Sequence, residues 1–470
     1  MVFSSLPFIF LFLPIFMIIY AFIPSRYRNH LLFIGSIGFY AFGTLKNPLY
    51  ILLIIASIAV NFGLGIAIDR KEKYRKQWLL LGLFYNFAWL FLFKYADFFF
   101  SGLNLLTSLI LPQTKFVFPT LNLLLPIGIS FYTFQAVSYL IDVYRKNIAA
   151  ETSFINLGTY ICMFPQLIAG PIVTYSSVSE QLKSRLFNKN NVIEGGKSFI
   201  LGLGLKVLLA NQIGNLWSDI AAVGFESIST PLAWMGALSF TFQIYFDFYG
   251  YSLMAIGLGK MLGFNLPKNF CHPYLSLSMT EFWRRWHITL GSWFRAYVYI
   301  PLGGSREEKA RTILNLSVVW LLTGIWHGAS LNFMLWGFSL FLLIAIEKLG
   351  LKRFLDKHRV IGHIYMMFCI PLSWMIFAIT DFSQMKIYFS RLFPILQASQ
   401  GLFQNDFIKY GKTYGIILII CLLFCTKLPQ TIYKKIKSNT LCGILFLAAF
   451  WGSVYCLFIG LNDPFLYFRF

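Results

Sequence analysis

Twelve apolar runs, most of them near bilayer-crossing length, alternate along this chain with short basic clusters. In hydrocarbon every backbone N–H and C=O must be paired within the structure, so each run is expected to be a helix. The runs lie near residues 6–23, 31–44, 49–68, 78–95, 121–141, 155–172, 197–214, 231–262, 312–346, 360–379, 413–426 and 440–461. Glycine or proline interrupts several of them. Hydrophobic residues make up 58% of the chain and charged residues 12%, a balance a soluble domain does not tolerate. The fold class expected is all-α and polytopic. No internal repeat, low-complexity segment or long linker divides the chain, so residues 1–470 read as one integral membrane domain.

The formal charge of +21 could suggest a nucleic-acid partner, but the lysines and arginines sit in short clusters between apolar runs. There they orient helices and meet anionic lipid, which speaks against nucleic acid. "SRYRN" (25–29), "DRKEKYRK" (69–76), "YRK" (144–146), "SREEKAR" (305–311), "EKLGLKRFLDKHR" (347–359) and "YKKIK" (433–437) are expected on the cytoplasmic side, which puts the N-terminus outside. "MVFSSLPFIFLFLPIFMIIYAF" lacks a basic leader and a cleavage site, so it reads as a retained first span. The seven cysteines have neither paired spacing nor histidines at ligand intervals, so no metal is expected.

The run at 312–346 lies between two cytoplasmic clusters and must therefore enter the membrane and return. As one straight helix it would be roughly 52 Å long; folded as two arms it reaches roughly 24 Å into a core about 30 Å thick. The reversal is expected at "HGAS", 327–330. That places His327 deep in the protein and towards the outer half. An ionisable residue at membrane depth is a functional candidate by default, with a helix-to-helix hydrogen bond as the alternative. A neutral imidazole can take a proton from a hydroxyl, as acyl transfer to an alcohol requires.

The segment "MTEFWRRWHITLGSWFRAYVYIPLGGSR" (279–306) offers a second candidate, His287. On a continuous helix Trp283 and His287 stand one turn apart. Trp283, Trp286 and Trp293 with Arg284, Arg285 and Arg295 read either as an aromatic belt at headgroup level or as a lid whose arginines meet the phosphates of an anionic donor. In "FQIYFDFYGYS" (242–252), Gln243, Asp247 and Tyr251 share one helical face that must point into protein. Asp247 is expected to pair with an arginine of 284–295, or to take part in the site directly. "FPQLIAGPI" (164–172) breaks a span and suits a cavity wall.

These motifs, with "LPIGISFYTFQAVSYLIDVYR" (125–145), "TFQIYFDFYGYSLMAIGLGKMLGF" (241–264), "WLLTGIWHGASLNFMLWG" (320–337) and the closing "FLYFRF" (465–470), resemble the membrane-bound O-acyltransferase (MBOAT) superfamily nearly end to end. Within it the resemblance is to the alginate O-acetyltransferase AlgI type, and more distantly to the teichoic-acid D-alanyltransferase DltB. It implies a ring of about 11–13 helices with a thinned centre and interfacial or re-entrant helices. It also implies a cytoplasmic thioester donor, most simply acetyl-CoA, and no bound cofactor. The acceptor would be a polysaccharide outside a bacterial cytoplasmic membrane, served by an extracytoplasmic acetyltransferase-like or glycan-presenting partner. The family's membrane histidine maps onto His327 and its second histidine onto His287. Ala296, Leu253, Thr174 and Ala378 stand where the family pattern has charged residues, a departure that bears on the acceptor and the partner.

The resulting expectation is an O-acyltransferase in which His327 acts as general base, with His287 and Asn332 orienting the donor or steadying the oxyanion. Trp283, Arg284, Arg285, Arg295 and Asp247 are the further substrate-binding candidates. D-alanyl transfer from a carrier protein, a transporter or flippase built on the broken helices, and a non-catalytic scaffold are the alternatives.

Overall fold

The computed structural model describes residues 2–111, 117–168, 170–394, 405–437, 439–460 and 466. Every regular element among them is a helix. Six, at Leu49–Arg70, Glu72–Ile110, Leu331–Lys357, Arg359–Ala378, Asp406–Phe424 and Thr440–Phe458, are long and apolar enough to cross a membrane, and Phe8–Phe22 is a shorter apolar helix. The chain is a multi-pass membrane protein. The closing "FLYFRF" lies outside the described residues except for Leu466, and Ala169 in "FPQLIAGPI" does likewise.

Two expected spans are cut short. The run at 121–141 becomes helical only at Ile129, after Gly128, whose φ of 74° is a left-handed conformation that glycine adopts without strain. The run at 155–172 is divided into Phe154–Cys162 and Phe164–Leu167, with Pro165 opening the second piece.

The chain packs as two compact units, one of Met1–Gly195 with Leu258–Pro267, the other of Gly196–Gly257 with Lys268–Phe470. In the first, buried Asn61 and Asn86 exchange amide hydrogen bonds of 3.1 and 2.8 Å and join the Leu49–Arg70 and Arg75–Leu90 helices. Such a polar clasp holds apolar helices that have no hydrophobic reason to prefer each other over lipid.

The second unit contains the hairpin expected from 312–346. Its arms are Lys309–His327 and Leu331–Ile346, so the chain reverses at 328–330. The arms touch backbone to backbone: a Cβ on Gly324 would sit 2.4 Å from the Phe333 carbonyl oxygen, and one on Gly337 2.5 Å from that of Trp320. Gly324→Ala is therefore expected to cost about 1–3 kcal/mol by forcing the arms apart, read from thermal unfolding in detergent. Gly38→Ala, where a Cβ meets nothing within 4 Å, is the neutral control, and equal melting of the two variants would contradict the close contact.

A second close crossing joins the Lys189–Gly204 helix to the 32-residue helix Thr230–Met261, where Cβ atoms on Gly202 or Gly250 would each run into the other's carbonyl oxygen. One π-helical turn, Leu205–Ala210, continues the first of these helices and turns Lys206 towards Asp247.

Candidate functional site

The Met279–Arg285 helix is anchored at its N-terminus. Ser278 Oγ accepts from Glu281 N at 3.2 Å, while buried Glu347 accepts from Met279 N, Thr280 N and Thr280 Oγ1 at 2.6, 2.8 and 2.6 Å. A carboxylate placed there satisfies N–H groups that have no intrahelical partner.

The helix does not continue through His287. It ends at Arg285, Trp286 is extended, and His287 takes a left-handed conformation (φ 43°, ψ 53°) before Ile288–Phe294 begins. The expected one-turn spacing of Trp283 and His287 is thus corrected. The neighbouring segment accounts for the break: Ile288 N donates to Asn269 O at 3.0 Å and Cys271 N to Arg285 O at 2.9 Å, pairings that a continuous helix cannot make. A non-glycine residue held at positive φ is strained and needs its surroundings to hold it.

Asn269 supplies that hold. Its Oδ1 faces His287 Nδ1 at 3.1 Å, Thr289 N at 3.3 Å and Thr289 Oγ1 at 2.9 Å, and its Nδ2 donates to Ser252 Oγ at 3.2 Å. A backbone N–H can only donate, so the Asn269 atom facing Thr289 is the oxygen. His287 Nδ1 therefore carries the proton and Nε2 the lone pair. Sequence reading missed Asn269, which lies in a loop with no periodic signal.

His327 closes its helix and is buried, its ring packed against Trp326, Trp336 and Phe377 at centroid distances of 5.0, 5.0 and 5.3 Å. Trp326 also meets His287 at 6.0 Å, so one indole touches both imidazoles. Trp283 packs on Trp320 and Trp336 at 5.0 and 5.5 Å and extends the same aromatic cluster. Asn332 Nδ2 donates to Phe377 O and Ile376 O at 3.0 and 3.3 Å, tying the hairpin to the Arg359–Ala378 helix.

A cavity of about 650 Å³ opens beside this cluster. His287, Trp283, Trp286 and Trp320 form part of its wall, and Arg284, Arg295, Lys348 and Lys352 supply positive charge. His327 is not among the lining residues; its link to the cavity runs through Trp326 and Trp336. Arg285 is absent from the lining as well and pairs with Glu281. The aromatic-belt alternative fails for two of its three tryptophans: Trp286 and Trp293 are 1% and 5% exposed and fill the interior, leaving Arg284 and Arg295 outside.

Asp247 pairs with Lys206 and not with an arginine of 284–295, the partner expected from sequence. Its Oδ1 lies 2.8 Å from Lys206 Nζ, both groups buried, and its Oδ2 accepts from Leu466 N at 3.0 Å. Lys206 also donates to Asn211 Oδ1 at 3.2 Å. The signal for Lys206 was present in "LGLGLKVLLAN": one lysine inside an apolar run demands a partner as much as one aspartate does.

The membrane-bound O-acyltransferase family model matches residues 144–358, a range that holds both histidines and every residue named on the cavity wall. Among curated proteins, the probable alginate O-acetylase AlgI of Pseudomonas syringae pv. tomato is 40% identical over 382 residues, covering 80% of this chain and 72% of its own. The peptidoglycan O-acetyltransferase of Helicobacter pylori is 32% identical over 530 residues, covering 100% and 98%. The teichoic acid D-alanyltransferase of Bacillus subtilis is more distant, 25% identical over 231 residues, covering 47% and 58%.

Proposed function

We propose, from the premise that this chain belongs to the membrane-bound O-acyltransferase family, that it moves an acetyl group from acetyl-CoA in the cytoplasm to a hydroxyl of a polysaccharide outside a bacterial cytoplasmic membrane. The observation that carries this reading is the gathering of two histidines around Trp326 beside a cavity with a cationic rim. Guanidinium and ammonium groups suit the phosphates of a coenzyme A donor. Lys348 and the lining residue Ser305 come from two basic clusters that the positive-inside bias assigns to the cytoplasm, which supports donor approach from that side.

His327 takes the proton of the acceptor hydroxyl as its oxygen attacks the thioester carbonyl. A C–O bond forms, the C–S bond breaks, and the imidazolium returns the proton to the departing thiolate. His287, with its lone pair at Nε2, suits acceptance of a hydrogen bond from an amide N–H of the donor's pantetheine arm, and so orients the thioester. The acceptor hydroxyl belongs to the glycan itself or to an extracytoplasmic partner that passes the acetyl group on; the relatives named for alginate and for peptidoglycan favour a glycan as the final acceptor.

Inside-out vesicles supplied with acetyl-labelled acetyl-CoA test the reaction. Label in a lumenal glycan or protein is the expected outcome. Absence of label with acceptor present, together with label from a D-alanyl carrier protein, would replace the donor.

Two residue-level outcomes follow. Replacing Arg284, Arg295 and Lys348 with glutamine is expected to raise the KM for acetyl-CoA by about tenfold or more and to leave kcat nearly unchanged, because these groups hold phosphate in ground and transition state alike. A fall in kcat alone would contradict a binding role. Asn269→Leu is expected to lower kcat about ten- to a hundredfold by freeing the His287 ring. Asn269→Asp, which keeps an acceptor oxygen, should recover part of the rate, and equal activity of both variants with wild type would remove Asn269 as the orienting group.

A further inference from the structure

In the Met1–Gly195 unit two arginines sit against one tyrosine. The Arg28 guanidinium lies 5.5 Å from the Tyr20 ring centroid and 5.2 Å from that of Phe187; Arg185 lies 5.8 Å from Tyr20 and 4.5 Å from Phe264. Cation–π contacts fix such groups in place and leave their charge intact. Arg185 is further held by Nε donating to Tyr20 Oη at 2.8 Å and Nη1 donating to Asn29 Oδ1 at 2.6 Å. Its acceptors, which include the Leu262 and Gln181 carbonyls, are neutral oxygens.

Neither arginine has a carboxylate within ion-pair range among the described residues. Arg28 Nε and Arg185 Nη2 are both buried and both lack a hydrogen-bond partner among those residues. Burial is the main cause holding Arg185 below its ordinary range; Tyr20 pulls it upward and Arg28 pushes it down. Two like charges brought together and partly desolvated, each with a spare donor, are stabilised by an oxyanion that accepts from both.

We propose that Arg28 and Arg185 form a binding site for one phosphate group, of the kind an anionic phospholipid headgroup carries. Phe22, 86% exposed, with exposed Ile18 and Ile19, lies on the outward side of the Leu13–Phe22 helix, away from buried Tyr20, and marks that helix as one that meets acyl chains. Arg28 belongs to a basic cluster at the end of that apolar run, where headgroups lie. This site stands apart from the acyl-transfer reading and does not depend on it.

Native mass spectrometry of the full-length protein in detergent, titrated with phosphatidylglycerol, measures the tightest lipid bound. Arg28→Gln and Arg185→Gln are each expected to weaken it about tenfold. Arg26→Gln, which removes an exposed charge two residues from Arg28, is expected to leave it unchanged. The Arg28 side chain is held by ring contacts and not by hydrogen bonds among the described residues, so its replacement tests the site even where loss of Arg185 disturbs the fold. Inorganic phosphate is the second arm: if millimolar phosphate displaces the lipid and loses that ability in Arg28→Gln, the site takes free phosphate too; if it does not displace, the site is a headgroup site. Unchanged lipid affinity in both Arg28→Gln and Arg185→Gln, or equal loss in Arg26→Gln, overturns the proposal.

Discussion

His327→Ala is expected to lower acetyl transfer by about 10²- to 10⁴-fold, the range a positioned general base contributes. The imidazole lies between Trp326, Trp336 and Phe377, so its loss also leaves space in the aromatic cluster. His327→Gln fills more of that space without an equivalent base and should be nearly as inactive. The comparison is made in vesicles at matched protein levels, with thermal unfolding alongside to separate chemistry from folding. A folded His327→Ala protein that labels the acceptor as well as wild type would remove His327 as the base. It would also move the reading towards a transporter or a scaffold.

The second large effect concerns the Lys206–Asp247 pair. Lys206→Met removes the ammonium group 2.8 Å from the buried Asp247 carboxylate and is expected to cost about 3–5 kcal/mol, seen as a steep fall in the unfolding temperature or loss of folded protein. Adding Asp247→Asn should recover most of that loss, since the amide oxygen still accepts from Leu466 N–H and the carboxylate charge is removed together with that of the lysine. Additive destabilisation by the two substitutions would show that the groups act independently. This pair accounts for Asp247 structurally, so the catalytic reading does not need it to touch substrate.

Much of this was legible in the sequence because membrane burial makes simple demands. The apolar runs and basic clusters specify helices and reversals, and the bend after His327 follows from two flanking clusters that share one side of the membrane. Tertiary pairing was not legible. Asp247 required a cation, but sequence distance gives no reason to choose Lys206, 41 residues earlier, over an arginine 37 or 38 residues later. Backbone competition was equally hidden: Met279–Phe294 has a helical composition, and only the pairing of Asn269 and Cys271 with Ile288 and Arg285 breaks it at His287. Trp286 and Trp293 show a third limit, since a tryptophan beside arginines satisfies the rule for an interface and the rule for a packed core alike.

The groups around the two histidines are spread unevenly along the chain. The parts arrive from the ribosome as Ser252, Asn269, His287 and Thr289, then His327, and last the carbonyls of Ile376 and Phe377 that anchor Asn332. The side chains that hydrogen-bond around His287 are all present by Thr289, whereas the carbonyls that hold Asn332 and the ring packed on His327 come only at Ile376 and Phe377. A chain cut before Ile376 would lack both the carbonyls that hold Asn332 and the ring that packs on His327.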